Sequence, residues 1–163
     1  MEPFDDPEPE ATWPRSRAPR TPARVLMPIF GGYHAARHRL DSAAREHGLD
    51  AAECLVLEAI RSDRMGAPWG IRRRLGFPPS TLTGILDRLE GADRIVRRSP
   101  GFTRKRFELD LTRGGRIAAD LAAHVIASLE AEIAGYSSPE ERRGAVAVFE
   151  ACMALDRSDR PHP

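Results

Sequence analysis

Apolar side chains recur along most of this chain with the spacing of an α-helix. Between residues 24 and 47 they predict a first long helix, with apolar positions at Ile29, Phe30, Tyr33, Ala36, Leu40 and Ala44. A second helix is predicted from about residue 50 to 61, because its Asp-Ala-Ala-Glu start at Asp50 has the pattern of a capping box. Two further helices are predicted near the end of the chain. The first is expected to be capped by Thr112, runs from 113 to about 134 and ends at Gly135. The second follows a Ser-Pro-Glu-Glu start at Ser138.

Two shorter helical segments lie in the middle of the chain. The first is predicted over residues 69–75 and is followed by Gly76, and the second begins at Pro79 and continues to Gly91. Two short helices joined by a tight turn that contains glycine form a helix-turn-helix.

The apolar period changes from helical to alternating after this pair. Phe107, Leu109 and Leu111 alternate with charged residues, which is typical of a half-buried strand, and Ile95 and Val96 indicate an earlier strand. A hairpin that directly follows a helix-turn-helix is a wing. The sequence therefore predicts a mainly α fold, a winged helix-turn-helix with a two-stranded wing.

The domain is predicted to span residues 24–156. The helix-turn-helix and the wing cover about 50–112, and helices at about 24–48 and 113–155 are expected to form a dimerisation region, since a long apolar stripe without a covering domain needs a partner. Residues 1–23 hold six prolines and are predicted to be a disordered tail, as are residues 157–163.

The charge of the chain is unevenly distributed. The net charge is only +1, but residues 61–106 carry twelve Arg or Lys against four acids, a net of +8, and the remainder carries −7. Such a basic segment fits a polyanion such as double-stranded DNA, although a solvated charged face is the alternative interpretation.

Other function classes find little support in the sequence. No nucleotide-binding glycine loop, HExxH motif or nucleophile elbow is present, so neither an enzyme nor a cofactor is expected.

Cys54 and Cys152 lack CxxC spacing; Cys54 is predicted to be a core residue, with a redox-sensing thiol as the alternative. His34 and His38 have a spacing that can bind a metal, but without a second ligand pair no metal site is expected. No apolar run reaches membrane-spanning length, and a cytoplasmic, nucleoid-associated protein is expected.

The order and spacing of the central motifs resemble the MarR (multiple antibiotic resistance regulator) family. The matching segments are a turn and recognition helix at residues 75–90, a wing entry at 95–98, a basic wing tip at 104–106 and a wing exit at 111–115. The resemblance implies a dimeric regulator that reads a pseudo-palindromic operator, working as a repressor that a small aromatic or anionic effector releases. A winged-helix module for protein–protein interaction and a redox- or metal-responsive regulator are the alternatives.

The residues expected to contact DNA lie on the two short helices and on the wing. Small polar side chains and free N–H groups at a helix start can meet phosphates or base edges, and one of Ser80 and Thr81 is also expected to cap the helix. Arg88 would serve as a phosphate clamp, whereas Asp87 is expected to pair with a wing arginine, because a carboxylate repels phosphate. By the resemblance, Arg104 takes the family's minor-groove position. The full set is Arg72, Arg73, Pro79, Ser80, Thr81, Thr83, Arg88, Arg98, Arg104, Lys105 and Arg106.

Three departures from the family pattern concern which operator is read. Thr103 replaces the acid that usually precedes the wing-tip arginine, and Gly84 stands where relatives often carry a larger, frequently basic residue. The connection over residues 91–94 is one residue longer than usual.

The resemblance also implies an effector crevice between the dimer helices and the winged domain. Tyr33, His34, Arg37 and His38 on the first helix are the candidate contacts. In the alternative interpretation, Tyr33 belongs to the core and the other three are simply exposed.

Overall fold

The computed structural model describes residues 24–62, 66–98 and 107–158. Within these ranges it contains six helices and one two-stranded sheet: α1 (Leu26–Arg45), α2 (Ala51–Ser62), α3 (Pro68–Leu75), α4 (Pro79–Gly91), β1 (Ile95–Arg98), β2 (Glu108–Leu111), α5 (Arg113–Tyr136) and α6 (Pro139–Ser158). The predicted mainly α winged helix-turn-helix is confirmed. The proposed N-terminal tail, the wing-tip residues 104–106 and residues 159–163 lie outside the described residues.

The hydrophobic core surrounds α2, against which the winged-helix elements and α5 pack. Cys54, Val56 and Leu57 of α2 are completely buried. The other elements contribute the buried residues Ile71, Leu82, Ile85, Leu86, Leu89, Ile95, Leu109, Ala119 and Ala122. Burying each large aliphatic side chain contributes roughly 1.5–3 kcal/mol, so this shared core holds the helix-turn-helix and the wing in one orientation.

Three predicted helix starts form as local side-chain caps. Asp50 and Glu53 make a reciprocal capping box, in which the Glu53 amide donates to Asp50 Oδ1 at 2.7 Å and the Asp50 amide donates to Glu53 Oε2 at 3.1 Å. The Ser138 amide likewise donates to Glu141 Oε2 at 2.8 Å. Thr112 caps α5, since its Oγ1 accepts from the Gly115 amide at 2.8 Å.

The wing hairpin is antiparallel and pairs Ile95 with Leu111 and Arg98 with Glu108. Its alternation is as predicted, with Leu109 buried beneath the sheet and Glu108 exposed. The Leu109 amide also donates to the Gly66 carbonyl at 3.0 Å, so the segment before α3 closes against the wing.

Some element ends differ from the prediction. Gly135 does not end α5, which continues to Tyr136, because an internal glycine costs a helix only about 1 kcal/mol. The stop comes at Ser137, whose backbone is extended. β2 begins at Glu108, and α6 continues to Ser158, two residues beyond the predicted end of the domain.

Helices α1, α5 and α6 also present apolar side chains to solvent in the single chain. Exposed apolar residues on α1, α5 and α6 include Leu26, Met27, Phe30, Tyr136, Val146, Phe149 and Leu155. None of the described side chains of α6 is buried. Among the described helices, none combines the length and the apolar character that crossing a bilayer would require.

Candidate nucleic-acid interface

The turn between α3 and α4 sets the direction of the candidate recognition helix. Gly76 ends α3 with φ of 71°, a left-handed conformation that glycine adopts without steric cost. Pro78 then occupies the N-cap of α4 in an extended conformation, and Pro79 takes the first helical position. A proline there loses no hydrogen bond and has its φ already set for the helix.

The prediction that Ser80 or Thr81 caps α4 is wrong. The N-cap is Pro78, which has no side-chain oxygen, and both hydroxyl residues lie inside the first helical turn. The first intrahelical bond runs from the Leu82 amide to the Pro78 carbonyl at 3.0 Å, so the amides of Ser80 and Thr81 precede the helical bonding pattern. Both side chains are exposed. The start of α4 thus offers uncapped amides and free hydroxyls at the positive end of the helix dipole.

The exposed face of α4 continues with polar residues. Thr83 is exposed and its Oγ1 donates to the Pro79 carbonyl at 2.9 Å, which leaves its lone pairs available as acceptors. Gly84 follows, with open space where a side chain would be. The opposite face is apolar, with Leu82, Ile85, Leu86 and Leu89 buried.

Arg88 is not placed as a free phosphate clamp. Its Nη2 donates to Asp50 Oδ2 at 2.9 Å, and its Nε donates to Glu53 Oε1 at 3.2 Å. Both carboxylates belong to the α2 capping box, more than thirty residues away in the chain, so no sequence spacing indicated the pairing. These ion pairs fix α4 to the start of α2, so the Arg88 guanidinium is already engaged by carboxylates.

The same carboxylate cluster reaches the wing. Glu53, the one charged side chain that is buried among the described residues, lies 3.7 Å from Arg94 Nη1. Arg94 also donates to the Gly48 carbonyl at 2.8 Å, which ties the start of the wing to the turn between α1 and α2. Sequence reasoning found the capping box but missed this second role of Glu53.

The expected pairing of Asp87 with a wing arginine is confirmed, and the partner is Arg97. Arg97 Nη2 donates to Asp87 Oδ1 at 2.5 Å, and its Nη1 lies 3.4 Å from Glu90 Oε2. Its guanidinium also lies 5.4 Å from the centre of the Phe107 ring. Arg97 therefore holds the wing against α4 and neutralises two acidic side chains of that helix.

The remaining basic candidates flank α4 on both sides. Arg73 on α3 is exposed, and Arg72 is half-buried. On the wing, Arg98 is largely exposed and its Nε lies 2.5 Å from Asp110 Oδ2. Arg104, Lys105 and Arg106 lie outside the described residues.

Cys54 lies in the core as predicted. Burial raises the pKa of its thiol to about 11, and the nearby Asp50 and Glu53 carboxylates add to the shift. A thiol with so little thiolate at neutral pH is a poor redox sensor, which weakens the redox-responsive alternative at this residue.

A crevice of about 730 Å³ opens between α1, α5, the start of α2 and the α3–α4 turn. Of the candidate effector contacts, Tyr33 and Arg37 line it, whereas His34 and His38 do not. The alternative that Tyr33 is a core residue is wrong, since 52% of it is exposed in the single chain. Among the described residues, no three His, Cys, Asp or Glu side chains are grouped to hold a metal ion.

Comparison with known proteins identifies the fold. No family model and no curated protein matches the sequence. Among solved structures, a cysteine-to-serine mutant of MarR from E. coli complexed with operator DNA is 19% identical with a TM-score of 0.66, covering 77% of this chain and 91% of that one. The M. tuberculosis transcriptional regulator MOSR in complex with DNA is 21% identical with a TM-score of 0.67, covering 79% and 96%. Bordetella bronchiseptica BpsR, from a study of how 6-hydroxynicotinic acid regulates its DNA binding, is 18% identical with a TM-score of 0.68, covering 80% and 98%.

These similarities extend over nearly the full length of the solved chains. The chain therefore has the winged-helix fold of MarR proteins, as the sequence motifs predicted.

Proposed function

We propose that this protein is a sequence-specific, double-stranded DNA-binding transcriptional regulator. The observation that carries the proposal is the start of α4, where Pro79, Ser80 and Thr81 are exposed and no side chain caps the helix. Free amides and hydroxyls at a helix N-terminus suit phosphates and base edges in a major groove. Two similar structures, MarR and MOSR, were solved with DNA.

The proposed contacts divide into positioning and reading groups. Arg72 and Arg73 provide positive charge that attracts phosphates, and Arg98 would do so by exchanging Asp110 for a phosphate. The wing-tip residues Arg104, Lys105 and Arg106 are proposed to contact the minor groove. Pro79, Ser80, Thr81 and Thr83 read the bases. Because Gly84 leaves open space in the middle of the exposed face, the readout is concentrated in the first turn of α4.

We further propose that the protein works as a homodimer. The exposed apolar residues of α1, α5 and α6 form a surface that a single chain leaves in water, and a second copy would bury it. Two recognition helices related by a two-fold axis would then read half-sites of a pseudo-palindromic operator.

A small-molecule effector is proposed to bind in the crevice and to release the protein from DNA, which makes it a repressor. Pro78 and Thr81, at the start of the recognition helix, belong to the crevice lining. A ligand there would contact both α1, the proposed dimerisation helix, and the start of α4. It could therefore change the distance between the two recognition helices of a dimer.

Fluorescence anisotropy with labelled duplexes tests the proposal. DNA from beside the protein's own gene should bind at least about 10³-fold more tightly than shuffled DNA of the same composition. Thr81→Ala should reduce the ratio between the two affinities. Arg73→Ala should instead weaken the affinities for both duplexes alike and make binding less dependent on salt. Equal affinity for the two duplexes would exclude a sequence-specific regulator, and no affinity for either would favour a protein-binding module.

A further inference from the structure

We infer that the crevice binds a hydrophobic organic cation. This inference rests on the proposed effector function and names the chemical class of its ligand. It differs from the anionic aromatic effector that the resemblance implied, and the reason lies in the charges of the lining residues.

The walls of the crevice are mainly apolar and include two aromatic rings. Leu55, Ile126 and Leu129 form much of the lining, and Tyr33 and Phe77 contribute their rings. A volume of about 730 Å³ is sufficient for a drug-sized molecule with several rings. The ligand must therefore be largely apolar.

The charged groups of the crevice are mostly acidic. Asp41, Asp50 and Glu130 line it together with a single cationic residue, Arg37, which gives a formal charge of −2. Arg88, from outside the lining, pairs with Asp50 at 2.9 Å and reduces this balance to about −1. Arg37 Nε already lies 3.6 Å from Asp41 Oδ2, so the one positive charge is partly neutralised. A carboxylate ligand that approached Arg37 would have to compete with Asp41.

The backbone donors at the start of α2 are also taken. The start of α2 borders the crevice, but the Ala51 amide donates to Asp41 Oδ1 at 2.7 Å and the Asp50 amide donates to Glu53 Oε2 at 3.1 Å. These carboxylates occupy the anion-binding capacity of the α2 N-terminus. An anionic ligand at the α2 end of the crevice would displace them or be repelled.

Glu130 is the carboxylate best placed to attract a cation. It is exposed on the α5 wall, and within the described residues no ion pair engages it. A cationic centre near Glu130 would gain a charge pair, and the Tyr33 and Phe77 rings would add cation–π attraction.

The test compares three naphthalene probes of nearly equal size by isothermal titration calorimetry, with no DNA present. The cation is 2-naphthylmethylammonium, the neutral probe is 2-naphthalenemethanol and the anion is 2-naphthoate. The cation should bind at least about 10-fold more tightly than the anion, which corresponds to the 1.4 kcal/mol that a single unfavourable charge contact can cost. Equal or tighter binding of 2-naphthoate would overturn the inference, and so would the absence of heat from the cation at millimolar concentration.

A pair of variants on α5 locates the site. Glu130→Gln should weaken binding of the cation about 3- to 5-fold and leave the affinity for the neutral probe unchanged, as expected for the loss of one partly solvated ion pair. Glu132→Gln is the control, because Glu132 lies outside the crevice lining and pairs with Arg39 at 2.5 Å. Equal loss in both variants, or no loss in Glu130→Gln, would overturn the inference.

Failure here is distinguishable from failure of the proposed function. DNA recognition is measured separately by anisotropy without any ligand, so a protein that reads its operator but prefers 2-naphthoate would refute only the cation inference.

Discussion

The junction between the wing and α5 depends on a glycine that no other residue can replace. A Cβ atom on Gly115 would fall within the van der Waals envelope of the Arg94 carbonyl oxygen, far closer than real Cβ contacts occur. The adjacent Gly114 differs, because its Cβ would lie 3.5 Å from the Asp93 carbonyl oxygen, an ordinary contact. Gly115→Ala and Gly114→Ala therefore form a matched pair at successive positions of one helix.

The loss of stability expected for Gly115→Ala follows from the contacts that the added methyl group would displace. The clash pushes α5 away from β1, where the Thr112 amide donates to the Arg94 carbonyl at 3.1 Å and Thr112 Oγ1 donates to the Asp93 carbonyl at 2.6 Å. The cap from Thr112 Oγ1 to the Gly115 amide, 2.8 Å long, is strained as well. At about 1 kcal/mol for each of three hydrogen bonds, the substitution should destabilise the fold by at least about 3 kcal/mol. Gly114→Ala should instead be neutral or stabilise it by up to about 1 kcal/mol, because alanine favours the helix.

Urea unfolding followed by circular dichroism at 222 nm measures both variants. The protein concentration must be the same throughout, since the proposed dimerisation would couple stability to concentration. We expect Gly115→Ala to shift the midpoint strongly downward, while Gly114→Ala stays at or above the wild type. If the free energy of unfolding of Gly115→Ala lay within 1 kcal/mol of the wild-type value, the close packing of α5 against the wing would be refuted.

Three further substitutions test other parts of the structure. Glu53→Gln should destabilise the fold by roughly 2–4 kcal/mol in the same urea assay, because it leaves Arg88 and Arg94 without their shared carboxylate; a change below 0.5 kcal/mol would contradict that network. Thr112→Ala should cost about 2 kcal/mol, because it removes both the α5 cap and the hydrogen bond from Thr112 Oγ1 to the Asp93 carbonyl; a neutral result would show that neither contact contributes to stability. In a Cys152→Ser protein at pH 8, the pKa of about 11 leaves about a thousandth of Cys54 as thiolate, so Ellman's reagent should label it only after unfolding; rapid labelling of the folded protein would contradict its burial.

Most of the fold could be predicted from the sequence, because its signals are local. The capping box of Asp50 and Glu53 and the cap at Thr112 involve partners three residues apart, and each forms as expected. The alternation around Leu109 likewise identified the wing strand, since a half-buried strand requires it. Glycine was a less reliable predictor of helix ends, since Gly76 ends its helix whereas Gly135 lies inside one.

The parts of the site that escaped prediction depend on distant contacts. Arg88 is adjacent to Asp87 in sequence, yet its partners Asp50 and Glu53 are 38 and 35 residues away. The charge balance of the crevice has the same origin, because helices far apart in sequence bring Arg37, Asp41 and Glu130 to a single opening. No spacing rule encodes such neighbours, so the role of each charge became evident only from the fold.

The start of α4 is both the best-predicted and the most revised part of the interface. Its Pro-Ser-Thr sequence indicated a recognition helix, but the hydroxyls were expected to be partly used in capping. With Pro78 at the N-cap, both Ser80 and Thr81 remain available to a ligand. The revision strengthens the case for reading bases with this turn.

Selection from a pool of randomised DNA duplexes tests the central claim most directly. The full chain is incubated with the pool at near-physiological salt, and bound duplexes are sequenced over several rounds. We predict enrichment of one pseudo-palindromic motif whose half-sites are about 10 base pairs apart, centre to centre, as two recognition helices of a dimer require. Recovery of bound DNA with no enriched motif would contradict a sequence-specific regulator.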